Sequence, residues 1–505
     1  MSNLPDYIAS AKPIPLSSRA AWYKTIAPTY AGVMLWFVFW DYLVPGEGTP
    51  GGILSAGIGT ALIGLLAAAL ICHFLFYLVP GLLGMQTGLP LYVVGASTYG
   101  ARGGLFMPGL LMGLLQFGWL AVNGSAVSSV LCHCFKIGLE SGGIKVQMPG
   151  FWHGSLATIF IFLAAFVGLK GIQYVGRVAT WLPLIPLVVL IVLVAKTAGG
   201  LAEFTPEKVI APAVAAAGKD ASHVGPVAGA LGLWGVIGVL CTYVVGFFAT
   251  AGAAGTDIAA NARKEHDVQW GGLVGIVLAT LIAGGAAILV IAGVYGGYQG
   301  AGAHNLIAPA HFGIIYKPVD LLGDIVGEKT ANLAMIGLAI SSFPGGCFSA
   351  FIAANSFKTT MPRFNSLLSV GIGALVAAIL ATTGIADKVI WVFKLIGASF
   401  GPVCGAMLAD YLLAGKKWNG PRAGFNPAGW LSWLVGFGVG AFNLVVEILL
   451  LHPWATQAIP NLSVMKGYVP CPPVSAFVVG FVLYVLLSVL GVKTRTLDMP
   501  PQPAS

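Results

Sequence analysis

Twelve long apolar runs, separated by short polar stretches, set what this 505-residue chain can become. They lie at about 26–44, 51–79, 104–135, 150–169, 174–197, 227–262, 270–296, 331–357, 366–384, 388–413, 428–451 and 472–492. A run of about 20 apolar residues crosses a bilayer as a helix. Lipid offers backbone N–H and C=O groups no partners, so spanning segments are helices or the strands of a closed barrel. These runs lack the two-residue alternation of barrel strands, which selects helices. Only 8% of the residues are charged, against about 25% in an average soluble domain. That deficit excludes an ordinary soluble enzyme and a disordered or coiled-coil chain. The reading is an all-α polytopic membrane protein with twelve transmembrane helices and the lipid bilayer as its partner.

The formal charge is +8, from 25 Lys+Arg against 17 Asp+Glu. In a membrane chain this marks the cytoplasmic face and not a nucleic-acid site. With the N-terminus inside, fifteen of the 25 basic residues fall in inner segments and nine in outer ones, while Lys394 lies within a span. The bias predicts a multi-pass protein of the cell (inner) membrane with both termini cytoplasmic. The first residues are polar, carry Lys12, Arg19 and Lys24, and show no small-residue cleavage site after a short apolar core, so the N-terminal segment is expected to stay attached. Of the seven cysteines most lie in apolar runs, where they read as small buried hydrophobes. Cys132-His133-Cys134 has no second Cys/His pair at zinc-ligand spacing nearby.

Ionisable or polar groups inside spans are expensive in lipid and are functional candidates by default. Here they are Asp41, Gln116, Asn123, Asp257, Ser341, Ser342, Lys394, Asp410 and Glu447. Ser341-Ser342 precedes Phe343-Pro344-Gly345-Gly346 in the eighth span. Two adjacent hydroxyls beside an expected break point offer hard oxygens to a cation. The competing reading is that both hydroxyls bond back to a carbonyl one turn earlier. Gln116 lies beside Phe117 and Trp119. Its amide can read the edge of a planar heterocycle while rings stack on it, or it can bridge two helices. Asp257 and Asp410 sit near the inner ends of spans, where ion pairing or capping is the plainer role. The first span carries Gly32 and ends near Trp40-Asp41-Tyr42, and the sixth contains Gly246, Gly252 and Gly255. Glycine-interrupted spans in corresponding places of two halves point to a binding site in secondary transporters.

Several stretches resemble the nucleobase–cation symporter family, which includes cytosine, allantoin and hydantoin permeases. Gly401-Pro402 through Ala409-Asp410-Tyr411 is similar to the family's tenth-helix "GP…G…ADY" pattern, followed by Lys416 and Lys417 and by Asn426 to Trp430. Gln116-Phe117-Gly118-Trp119 resembles the third-helix run of cytosine permeases, Ser341-Ser342 falls where the family has a Ser-Thr pair, and Gly255-Thr256-Asp257 resembles its sixth-helix ending. The resemblance implies a leucine-transporter-type fold, a five-plus-five inverted repeat with broken helices one and six. On that plan residues 1–25 form a cytoplasmic segment, 26–413 the ten-helix transport core, 414–492 two additional helices and 493–505 a cytoplasmic tail. It further implies sodium ligation by the carbonyls near Val38 and Asp41 and the hydroxyls of Ser341 and Ser342. Substrate contacts would come from Gln116, Trp119, Trp40, Asp41, and Phe247 or Phe248 as a stacking ring. The family's stacking Trp one turn before Gln116 is Met112 here, and Gly345, Gly346 and Cys347 stand where it has a substrate-reading Asn.

The expected function is secondary active import of a nucleobase-like nitrogenous heterocycle by alternating access, coupled to a cation, sodium in preference to a proton. No further cofactor and a monomeric functional unit are expected. An amino-acid or amine transporter of the same fold is the alternative. An intramembrane aspartyl enzyme is disfavoured, because Asp257 follows Ala254-Gly255-Thr256 and lacks the Gly-x-Gly-Asp frame.

Overall fold

The computed structural model describes residues 4–35, 52–140, 146–170, 181–210, 231–298, 321–360 and 365–499. Among them, α1 (Ile26–Met34) occupies the start of the first apolar run. Ten helices are long and apolar enough to cross a membrane. In chain order with α9, which is shorter, they are α2 (Ile58–Thr87), α3 (Leu105–Phe135), α4 (Phe151–Leu169), α5 (Leu184–Glu203), α6 (Leu233–Ala253), α7 (Glu265–Gly296), α8 (Glu328–Lys358), α9 (Ser366–Thr382), α10 (Val389–Leu413), α11 (Pro427–Leu450) and α12 (Pro472–Val489). A helix therefore stands in every one of the twelve apolar runs. The Trp40-Asp41 end of the first run, and Val38 with it, lie outside the described residues.

Two packed bodies, joined through α3 and α8, make up most of the described core. In one, α3, α4, α8 and α9 close on a small-residue core that includes Leu120, Ala157, Ile161, Ala164, Ala350 and Ala374. Without a hydrophobic drive between helices in lipid, close backbone approach through small side chains is what holds such a bundle. Gly168 of α4 shows how tight it is, since a Cβ there would come within 2.6 Å of the Cys347 carbonyl oxygen on α8. In the other body, α1, α2, α6, α7 and α10 share a larger cluster containing Tyr30, Phe76, Tyr77, Phe248, Ile288 and Phe400.

Several helices depart from regular winding, α2, α3 and α7 through π-helical stretches, and α8 and α6 beside the residues that the sequence singled out. In α8 the helix is interrupted at Ser342, between Glu328–Ser341 and Phe343–Thr360. Pro344 supplies the cause, because it has no N–H to return to the Ile340 carbonyl. The glycine-rich sixth span stays wound through its middle, with a π-helical stretch at Cys241–Val245, and is interrupted only at Ala254, before the short helix Gly255–Ala259. The Tyr30 hydroxyl donates to the Ala251 carbonyl at 2.8 Å, tying α1 to α6 just ahead of that turn.

The tenth-helix motif is structural. Gly480 of α12 passes so close to α10 that a Cβ would lie 2.6 Å from the Pro402 Cα, and Gly401 faces the Pro473 carbonyl at the same distance. At the end of α10, Asp410 accepts from Arg422 Nη2 at 3.1 Å and from the Tyr484 hydroxyl at 2.8 Å. Arg422 also donates to the carbonyls of Ser97 and Thr494, and Asn426 donates to that of Thr98. Burial works against the Arg422 charge, but Asp410 and Tyr484 beside it hold its pKa above the ordinary arginine value. One buried knot thus fastens α10, the α10–α11 loop, α12 and the segment following α2. Another in-span pair is likewise bonded: Lys394 of α10 donates to both carboxylate oxygens of Glu447 on α11, at 2.5 and 2.6 Å.

Candidate functional site

A cavity of about 60 Å³ lies between the two bodies. From the first body α3 contributes Gln116, Trp119 and Asn123, and α8 contributes residues from Ser341 to Ile352. From the second come Gly32 and Val33 of α1 and Phe247, Thr250 and Ala251 of α6. Residues separated by up to about three hundred positions in sequence meet here because α3 and α8 pack together while α1 and α6 face them.

Its walls are aromatic and its polar groups few. The Trp119 and Phe247 rings meet edge to face, with centroids 4.7 Å apart and planes at 85°. Phe393 backs both, 5.4 Å from Trp119 and 5.5 Å from Phe247. The indole Nε1 of Trp119 donates to the Thr250 hydroxyl at 3.0 Å, which fixes the ring across the gap between the bodies. Gln116 is buried, and its Nε2 approaches the Met112 sulfur at 3.4 Å. A thioether is a weak acceptor, so this contact leaves the amide readily exchangeable for a better partner.

Asn123 is the residue that the sequence reading left unassigned. Its Nδ2 donates to the Trp119 carbonyl one turn earlier at 2.8 Å, while its Oδ1 is buried and has no hydrogen-bond partner among the described residues. An unmet buried acceptor costs about 1–3 kcal/mol. Gly345 of α8 leaves it room, since a Cβ there would sit 3.2 Å from that oxygen. The signal was present in the sequence: Trp119 and Asn123 are four residues apart and so share one helix face.

Ser341 and Ser342 both line the cavity, and both hydroxyls donate to the Leu338 carbonyl, at 2.8 and 3.0 Å. The plain structural role is therefore realised. It does not exclude ligation, because a hydroxyl that donates its proton keeps lone pairs on the same oxygen. The structure separates the two candidate phenylalanines: Phe247 faces the cavity, whereas Phe248 is buried against Tyr30, with centroids 5.7 Å apart. Trp40, Asp41 and Val38 lie outside the described residues. Asp257 stands apart from the cavity and accepts the Leu91 N–H at 3.3 Å, a capping role, while Arg263 pairs with Asp267. Among the described residues no group of three His, Cys, Asp or Glu side chains could hold a metal ion.

A second, larger space of about 520 Å³ adjoins the first, with Phe348 and Ile352 lining both. Lys12, Lys24, Thr29, Asp257, Asn261 and Asn355 border it, so it lies on the side of the N-terminal segment.

No family model matches the chain. The purine-uracil permease NCS1 of Arabidopsis thaliana is 29% identical over 208 residues, 38% of this chain and 34% of that protein, so the match spans about a third of that relative. A protein of Escherichia coli strain K12 whose name proposes an allantoin permease is 24% identical over 469 residues, 88% of each chain. Mhp1, a nucleobase-cation-symport-1 family transporter solved in a closed conformation with bromovinylhydantoin bound, matches with a TM-score of 0.59 at 13% identity, over 97% of this chain and 96% of that one. The chain resembles the nucleobase–cation symporters. Its curated relatives are permeases and not enzymes, and it shares the fold of Mhp1. With ten membrane-length helices among its described residues, it is a multi-pass membrane protein.

Proposed function

We propose that this chain is a secondary active transporter that takes up a nucleobase-like or related nitrogenous heterocycle by alternating access, coupled to a cation, with sodium favoured over the proton. The single observation that carries this reading is the cavity between α3 and α8 on one side and α1 and α6 on the other, where Trp119 and Phe247 supply ring faces and Gln116 and Asn123 supply amide edges. A planar heterocycle presents the complement: a π-face for the rings, and N–H and C=O groups for the amides. Among the described residues the cavity wall has no charged side chain.

Ser341 and Ser342 give the coupling ion two hydroxyl oxygens beside the helix interruption, and carbonyls of the first helix would complete its shell. Gly32 and Val33 are the first-helix residues described at the cavity, and Val38 and Asp41 remain proposed ligands further along the same run. The space on the N-terminal side fits an inward-open state if that side is cytoplasmic, as the basic bias indicates. The ten-helix core of 26–413 with its five-plus-five repeat, the two additional helices, placement in the cell (inner) membrane and a monomeric working unit belong to the same proposal.

The test is uptake into proteoliposomes of radiolabelled uracil, a purine, allantoin and a hydantoin, each with and without an inward sodium gradient. The proposal expects one of these compounds to accumulate only when the sodium gradient is present. Accumulation of none of them, with an amino acid or amine accumulating instead, would overturn the substrate class.

A further inference from the structure

Four polar side chains from separate elements meet beyond the cavity. Ser125 and Ser128 come from α3, His153 from the first turn of α4, and Asp387 from the connection between α9 and α10. The start of α3, with Pro108, Gly109 and Met112, borders the space on the N-terminal side, whereas Ser125 lies toward the other end of that helix. Ser125, Ser128 and His153 are buried, and Asp387 is half-buried.

The bonding among them has a direction. The Ser128 hydroxyl donates to the His153 carbonyl at 2.6 Å, which pins the histidine backbone to α3. His153 Nε2 lies 3.2 Å from both the hydroxyl oxygen and the carbonyl oxygen of Ser125. A carbonyl can only accept, so Nε2 carries a hydrogen. The Ser125 hydroxyl in turn donates to the Asp387 carboxylate. Hydrogens therefore point one way, from imidazole through hydroxyl to carboxylate. His153 Nδ1 is left over: it is buried and has no hydrogen-bond partner among the described residues. With Nε2 protonated, Nδ1 of the neutral ring is a bare lone pair, and it is the atom at which the ring gains charge.

The surroundings leave Asp387 as the charge that acts on this ring. From α3 come the two serine hydroxyls, and His133, two turns further along, bonds the Ser129 carbonyl at 2.9 Å. From α9 comes Thr382, against which Gly154 packs. At the start of α8 Glu328 is paired with Lys136, and Lys388 sets its ammonium over the Trp391 ring, 4.4 Å from the centroid. Asp387 stands two residues ahead of α10, and Phe393, one turn into that helix, backs both Trp119 and Phe247. Ser125 is six residues beyond Trp119, about 9 Å along α3. The relay thus fastens the start of α10 to α3 and α4 just past the cavity rings.

We propose that His153 is a proton-binding site whose proton, taken at Nδ1, tightens the His153–Ser125–Asp387 relay, so that acid holds the start of α10 against α3 and α4. The neutral imidazole takes one proton from water and gains one positive charge, and no bond of the chain breaks. That charge faces the Asp387 carboxylate across a single hydroxyl, and charge-assisted hydrogen bonds are stronger than neutral ones. His153 acts through Ser125 and is a positioning residue. Its proton modulates, while sodium remains the coupling ion of the transport reading. Only the consequence for uptake rests on that reading.

The experiment uses the full chain in lipid nanodiscs between about pH 5 and 8, where an ordinary histidine changes charge. Carbon-2 hydrogen exchange of His153 reports the charge of the ring. Amide exchange of residues 384–393, corrected for the intrinsic rate at each pH, reports the hold on α10. The expected result is that His153 titrates in this range and that residues 384–393 are several-fold better protected at the acid end. His153→Gln keeps an N–H for Ser125 but takes no proton, and Asp387→Asn removes the charge that the proton faces, so protection should be independent of pH in both. A His153 ring that stays neutral throughout, equal protection at both ends in the parent, or a pH dependence that persists in His153→Gln would each overturn the proposal. The first two readings need the parent alone and hold even if a variant fails to fold. In proteoliposomes with a fixed sodium gradient and equal pH on both sides, uptake should fall several-fold at the acid end in the parent and not in His153→Gln. Failure of uptake in every substrate arm would instead count against the transport reading and leave the exchange result standing.

Discussion

The cavity and the knot at the end of α10 are both buried polar assemblies, but they are built on opposite principles. In the knot, Asp410, Arg422, Tyr484 and Asn426 are bonded to one another and to backbone carbonyls. In the cavity, among the described residues, the Asn123 Oδ1 has no hydrogen-bond partner and the Gln116 amide bonds a thioether sulfur. A knot that is satisfied holds helices in place. A site with unmet polar groups holds back hydrogen-bonding capacity that a ligand can use. The comparison also separates what the resemblance rests on from what the protein does. The "GP…G…ADY" stretch that is easiest to recognise locks α10 to α12, whereas the cavity is built from scattered residues of four helices.

The widest separation between the two regions should come from Arg422→Met. Removing one partner of a buried ion pair leaves Asp410 uncompensated and should cost about 3–5 kcal/mol. We expect a large drop in thermal midpoint and yield, while the fraction that folds binds substrate as before. A stable protein with weakened binding would assign the knot to the site and end the comparison.

Asn123→Ala should do the reverse. Losing a hydrogen bond to a buried polar ligand costs about 1–3 kcal/mol, roughly a five- to hundredfold loss of affinity. Stability should fall little, because only the bond to the Trp119 carbonyl is lost inside the protein. Binding measured by calorimetry on detergent-purified protein decides it, and Gln116→Ala should show the same pattern. Unchanged affinity in both would reduce the two amides to helix-bridging groups.

Trp119→Phe keeps a ring but removes the N–H that bonds Thr250. The loss should be about 0.5–1.5 kcal/mol, shared between stability and affinity because that bond spans the gap between the bodies. The smallest effect is expected from Gly345→Ala. Its methyl would press on the Asn123 oxygen, so affinity should fall a few-fold, while stability should hold or rise slightly from the reduced freedom of the unfolded chain.

The spans were legible because lipid imposes a length and composition that few other settings require. Ser341-Ser342 and Gln116 stood out as polar groups in apolar runs, and both reach the cavity. The choice between Phe247 and Phe248 was not legible, since adjacent residues on a helix point about 100° apart and only the packing of Tyr30 against Phe248 settles which one faces inward. Asn123 was visible as a polar residue, but its role depends on Gly345, more than two hundred positions away, leaving space beside it. In the sixth span the winding is interrupted at Ala254, between Gly252 and Gly255, and glycine permits such an interruption without requiring one. Pro344 does force the loss of a helix bond, and the interruption in α8 falls where the sequence placed it.

The most direct test is the sodium activation curve of uptake in proteoliposomes, measured for the parent and for Ser341→Ala combined with Ser342→Ala. If the cavity couples a heterocycle to sodium, the parent should take up its substrate only with sodium present, and the double variant should need a sodium concentration at least several-fold higher for half-maximal uptake. Uptake driven by a pH gradient in sodium-free buffer, and unaffected by loss of both hydroxyls, would contradict the account.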